Sequence, residues 1–114
     1  MYTVYGLASC DTVRKAIKWL KEANQSFQFH DFRKDGIDAQ KINDWLSQMG
    51  VAVLLNKKSA TWRGLNEAEQ AKAATEQGAI QLMTQHPALI KRPVVEQHEK
   101  VIAVGFPAAG FGGV

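Results

Sequence analysis

A single cysteine in 114 residues excludes an intrachain disulfide, so no disulfide framework holds this fold together. No apolar run approaches the roughly 20 residues that cross a bilayer, and the first residues lack the apolar stretch of a secretory leader. With a lone thiol, the expectation is a reducing cytoplasm and no membrane. Charge of one sign is scarce as well. The net charge is +3 and the basic residues are dispersed. The densest cluster, Lys57-Lys58 with Arg63 nearby, is too thin for a nucleic-acid stripe and suits a small anionic ligand better. His30, His86 and His98 stand at no metal-ligand spacing with one another or with Cys10, so no metal site is expected. A phosphate-binding glycine loop, a catalytic carboxylate pair and a hydrolase triad are all missing from the motifs. Neither repeat nor linker divides the chain, and 1–114 reads as one domain with room for a core.

What is present begins with a β-α-β pattern. Tyr2-Thr3-Val4-Tyr5 reads as a short strand and Gly6-Leu7-Ala8-Ser9 as a turn. From Asp11, Val13, Ala16, Ile17 and Leu20 recur at helical spacing, and Asn24-Gln25 ends the helix at about Ala23. Ser26 to Phe32 alternates aromatic and polar residues, as a half-buried strand does, and a helical crossover of this length makes the two strands parallel. Asp38 is an N-cap candidate for a helix to Met49, stopped by Gly50. Val51 to Asn56 is ambiguous between helix and strand, and Lys57 to Gly64 reads as a basic loop. Asn66 caps a third helix over about Glu67–Gln77, and after Gly78 a further helix covers Ala79–Gln85. The segments around Val94-Val95 and Val101-Ile102 form a hairpin turning through Gln97-His98. Gly105 to Val114 is rich in glycine and is expected to be irregular.

Cys10 therefore stands where a strand gives way to a helix, beside unpaired amides and the positive end of the helix dipole. A thiolate is an anion and is favoured at such a position. Arg14 adds a cation on the same face, whereas Asp11 opposes it. The plain alternatives are a buried inert thiol at Cys10 and an Arg14 that merely pairs with Asp11. Val13 stands where a Cys-x-x-Cys motif would have its second sulfur, so a reactive Cys10 needs an external thiol.

Four segments, in order, resemble one family. They are Tyr5-Gly6 with Cys10 to Ala16; His30-Asp31-Phe32-Arg33-Lys34-Asp35-Gly36; Leu54-Leu55-Asn56-Lys57-Lys58 with Thr61-Trp62-Arg63; and His86-Pro87-Ala88-Leu89-Ile90-Lys91-Arg92-Pro93-Val94. Together they look like the ArsC/Spx family of arsenate-reductase-like proteins, in its YffB-type branch, over about Tyr2 to Val104. The resemblance implies an α/β thioredoxin-like fold: a mixed central sheet flanked by helices, with an all-helical insertion at about 38–86. It implies Cys10 as the catalytic nucleophile, Arg63 and Arg92 as anion-binding residues, and Pro93 as a cis-proline facing the Cys10 loop; Arg14, by its place on the helix, is added as a candidate for tuning the thiol and binding the anion. The implied activity is that of a glutathione-dependent thiol reductase with glutathione as co-substrate, glutaredoxin as a partner and no tightly bound cofactor. A monomer is expected. The alternatives are glutaredoxin-linked arsenate reduction and an Spx-like, non-enzymatic redox regulator of RNA polymerase. Two features depart from the family pattern. Gly105 is followed by Phe106 where arsenate reductases carry a further arginine, and the closing helix is expected to be shortened or absent, leaving Phe106 and Phe111 to cover the exposed patch. Lys57 and Lys58 read as solvated.

Overall fold

The computed structural model describes residues 1–106, so the expectations for the end of the chain, including Phe111 and the shortened last helix, lie outside the described residues. Among the described residues two compact units are formed: Met1–Gly36 together with 92–106, and the continuous segment Ile37–Lys91.

The first unit is built on a four-stranded sheet. Its strands are β1 (Tyr2–Gly6), β2 (Phe27–Asp31), β3 (Val94–Gln97) and β4 (Lys100–Val104), in the spatial order β2-β1-β3-β4. β1 and β2 run parallel, joined by helix α1 (Asp11–Glu22); β3 runs antiparallel to both β1 and β4. This is the thioredoxin-like arrangement of strands. Alternation places Tyr2, Val4 and Val95 on the face that meets Val13, Ala16 and Leu20 of α1, all six buried. Gly6 belongs to this packing: a Cβ there would lie 2.5 Å from Val13 Cγ2, so the last residue of β1 must be without a side chain for α1 to approach. Helix α1 ends in a Schellman turn, with Gln25 N–H donating to Leu20 O (2.9 Å), Asn24 N–H to Lys21 O (3.1 Å) and Asn24 at φ 56°.

The hairpin turn falls one residue later than expected, at His98-Glu99, both left-handed (φ 54° and 64°), as a two-residue I′ turn requires. Beyond it a β-bulge leaves Ile102 without a partner in the register, and Ile102 is one of the few exposed large apolar residues. Phe32, expected in the second strand, instead opens a one-turn helix, α2 (Phe32–Asp35). There Asp31 accepts from Arg33 N–H, and a side-chain cap ends the strand.

The second unit is helical. Helix α3 (Ala39–Met49) starts at Asp38, whose carboxylate accepts from Lys41 N–H (2.8 Å), and stops at Gly50 with φ 82°. It buries Ile42, Trp45 and Leu46. The ambiguous run resolves into both states: α4 (Val51–Leu54) is one helical turn, and Leu55 makes an antiparallel bridge with Ile90. Within the expected loop, Ser59 caps a single turn, α5 (Ala60–Arg63). Asn66 and Glu69 form a reciprocal capping box at α6 (Glu67–Ala71), which tightens to a 3₁₀ turn at Lys72–Ala74. The next helix, α7 (Glu76–Gln85), begins earlier than the sequence suggests. Thr75 leaves the helical conformation and caps it by accepting from Gly78 N–H (3.1 Å). Gly78 is thus inside a helix and not a break. It is glycine because the Lys72 carbonyl passes 1.8 Å from where its Cβ would be.

Candidate active site

The loop after β1 turns back through a Cys10 N–H to Leu7 O bond (3.0 Å), and Cys10 O accepts the first helical bond from Arg14 N–H (3.0 Å). Cys10 is therefore the N-cap of α1, with extended φ −82° and ψ 123°. Its side chain makes no capping hydrogen bond, unlike Asp38, Ser59, Asn66 or Thr75 at other helix starts. A sulfur here leaves the first-turn amides without a side-chain acceptor, at the end of the helix that attracts an anion. The thiol is free and half-buried, packed against the cluster of Val4, Val13 and Ala16. Arg14 forms an ion pair with Asp11 in which both side chains are largely exposed. Its guanidinium is thus committed to Asp11, which is the plain alternative of the sequence reading.

Register brings further residues to this end of the sheet. Tyr5 pairs with Val94, so Pro93 lies level with Gly6, and Val94 pairs with Val104, so Gly105 and Phe106 leave β4 at the same level. Asp31 pairs with Gly6 from the other side. The Arg92–Pro93 peptide bond is cis, and the Pro93 carbonyl accepts from Gly105 N–H (2.8 Å). Arg92 is half-exposed. Phe106 packs against the same apolar cluster as Cys10, so the position after Gly105 supplies core and no cation. Arg63 belongs to the helical unit, exposed in the last turn of α5.

Two features escaped the sequence reading. Glu96 is buried in β3 and accepts a hydrogen bond from Tyr5 Oη (3.1 Å); its carboxylate alternates into the second sheet face, and only the β1–β3 register reveals its partner. Lys91 donates its backbone N–H to Leu54 O (2.8 Å), which draws it to the basic loop that begins at Asn56. Among the described residues no group of three or more His, Cys, Asp or Glu is placed to hold a metal ion, and no helix is long and apolar enough to cross a membrane.

Comparison with known proteins agrees with this geometry. The model of the ArsC family matches residues 5–113. An uncharacterized protein of Haemophilus influenzae is 43% identical over 107 residues, covering 93% of this chain and 91% of that protein. The global transcriptional regulator Spx of Bacillus subtilis is 27% identical over 108 residues, covering 93% and 80%. Among solved structures, a YffB protein superposes with a TM-score of 0.89 at 38% identity, covering 98% of this chain and all of that one (100%). An arsenate reductase (ArsC) related protein from Brucella melitensis does so at 0.77 and 36% identity, covering 95% and 88%.

Proposed function

This chain belongs to the ArsC family, and from that membership we propose that it is a monothiol reductase whose nucleophile is Cys10 and whose resolving thiol is glutathione. The observation that supports this most is the pairing of one sulfur with one position: the only cysteine of the sequence is the N-cap of α1, where Val13 stands in place of a second cysteine. The Cys10 thiolate attacks the glutathione-side sulfur of a mixed disulfide RS–SG. The S–S bond breaks, R leaves as the thiolate and takes a proton, and Cys10 is left as the glutathionyl disulfide. A glutathione thiolate then attacks the glutathione sulfur of that adduct, giving glutathione disulfide and regenerating Cys10. One RS–SG and one glutathione become RSH and glutathione disulfide, so atoms and electrons balance. Arg92, at the same end of the sheet as Cys10, offers a planar guanidinium to a glutathione carboxylate. Arg63 on α5 is a separate candidate cation, tested by its own substitution.

The test is reduction of a glutathionylated peptide by glutathione, coupled through glutathione reductase to NADPH oxidation. Turnover should vanish in Cys10→Ser, and oxidised glutathione should add one glutathionyl group to the native chain and none to the variant. Turnover unchanged in Cys10→Ser would sink the proposal. Arsenate in the same assay is the second reading; Phe106, packed as core where a clamp arginine is expected, favours disulfide over oxyanion. Likeness to Spx raises a regulatory reading, which co-purification with RNA polymerase and no reductase turnover would establish instead.

A further inference from the structure

The helical unit holds a groove of about 750 Å³ that the thiol chemistry leaves unused. Its apolar wall is Val51, Ala52 and Leu55, and Lys57, Lys58 and Lys91 stand around it, with Asn56 between the two halves. We propose that this groove docks an acidic peptide segment of a partner protein, its carboxylates on the three lysines and an apolar side chain on the Val51–Leu55 wall.

Charge is the first argument. Lys57, Lys58 and Lys91 line one groove, no acidic residue lines it, and none of the three lysines has an ion pair among the described residues. Like charges brought together without a counter-charge repel, and a polyanionic occupant removes that cost. Second, the backbone beneath the lysines is fixed. The Leu55–Ile90 bridge, Asn56 N–H to Leu89 O (2.8 Å) and Lys91 N–H to Leu54 O (2.8 Å) tie the two segments together. Lys58 N–H donates to Asn56 Oδ1 (3.1 Å), and Lys57 Nζ lies 5.5 Å from the Trp62 ring centroid. Docking there requires ordering of side-chain ends and not of a loop. Third, the apolar wall selects among anions. Lysines bind a free phosphate or a nucleic-acid backbone as well, but neither makes use of Val51, Ala52 and Leu55. Carboxylates alternating with an aliphatic side chain use both surfaces. The inference is independent of Cys10.

The probe is a fluorescein-labelled synthetic peptide of alternating glutamate and leucine, followed by anisotropy with the full chain and with its Cys10→Ser form. Saturable binding is expected to both proteins. It should weaken about tenfold in the triple variant Lys57→Glu, Lys58→Glu, Lys91→Glu, since three exposed charge contacts sum to that order. The charge-matched variant Lys15→Glu, Lys34→Glu, Lys100→Glu should bind as the native chain does. Ala52→Trp keeps every charge but fills the groove at an exposed position, and should also lose binding. The proposal is overturned by equal loss in the charge-matched control, by full binding to Ala52→Trp, or by absence of saturable binding. Competition by leucine-free polyglutamate, inorganic phosphate or a single-stranded oligonucleotide as effective as that by the unlabelled peptide overturns it too.

Discussion

At the scale of single residues, two positions carry physical demands that their neighbours reveal. Gly6 is required by the side chain of Val13 and not by a special backbone angle, so the demand can be relieved from the other partner. Gly6→Ala should destabilise the fold by about 1–3 kcal/mol as overpacking. Adding Val13→Ala should return part of that loss, a coupling that thermal melts of the two single variants and the double variant will show. Cys10 is the other. Its sulfur stands at an N-cap with no capping bond, beside an Asp11 whose carboxylate holds Arg14. Removing that negative charge with Asp11→Asn should quicken iodoacetamide alkylation of Cys10 at neutral pH, because the incipient thiolate loses a neighbour of its own sign. Slower or unchanged alkylation would refute a repulsive influence of Asp11 on the thiolate.

At the scale of elements, helix starts were read well where a side chain reaches its own third amide. Asp38 and Asn66 announce themselves because an N-cap is decided within four residues. Thr75 gives a weaker signal along the chain than Gly78, which reads as a stop. In the structure Gly78 serves a close backbone approach from Lys72, which no local pattern encodes. Two substitutions separate these roles. Thr75→Ala should cost about 1 kcal/mol, the usual loss of a cap. Gly78→Ala should cost more, because its Cβ meets backbone that has no rotamer to move. Equal losses by urea titration would refute that distinction. The hairpin offers the reverse case: His98 holds a left-handed conformation that glycine adopts freely, so His98→Gly should raise stability by about 1 kcal/mol.

At the scale of the whole molecule, the proposed thiol chemistry and a small positive charge set the expected kinetics. The net charge of +3 favours encounter with anionic thiols and disulfides, and added salt screens it. With a glutathionylated peptide, kcat/KM should therefore fall as ionic strength rises, more for an acidic peptide than for a basic one. A salt-independent kcat/KM would remove electrostatic attraction from the account.

The order of the strands and of the longer helices, and the place of Cys10 at a helix start, were settled by sequence alone, whereas the one-turn helices α2, α4 and α5 were not. Apolar spacing, a turn and a cap each act within one or two turns of chain, so they are legible along it. Which other residues stand at that end of the sheet was decided by tertiary structure. Arg92, Pro93 and Phe106 reach the Cys10 end of the sheet only because β3 inserts between β1 and β4, far apart in sequence. The lysine groove likewise exists only because Leu55 pairs with Ile90. Such pairings are selected by burial and by the hydrogen bonds of the completed sheet and bridge, quantities that no short stretch of residues contains.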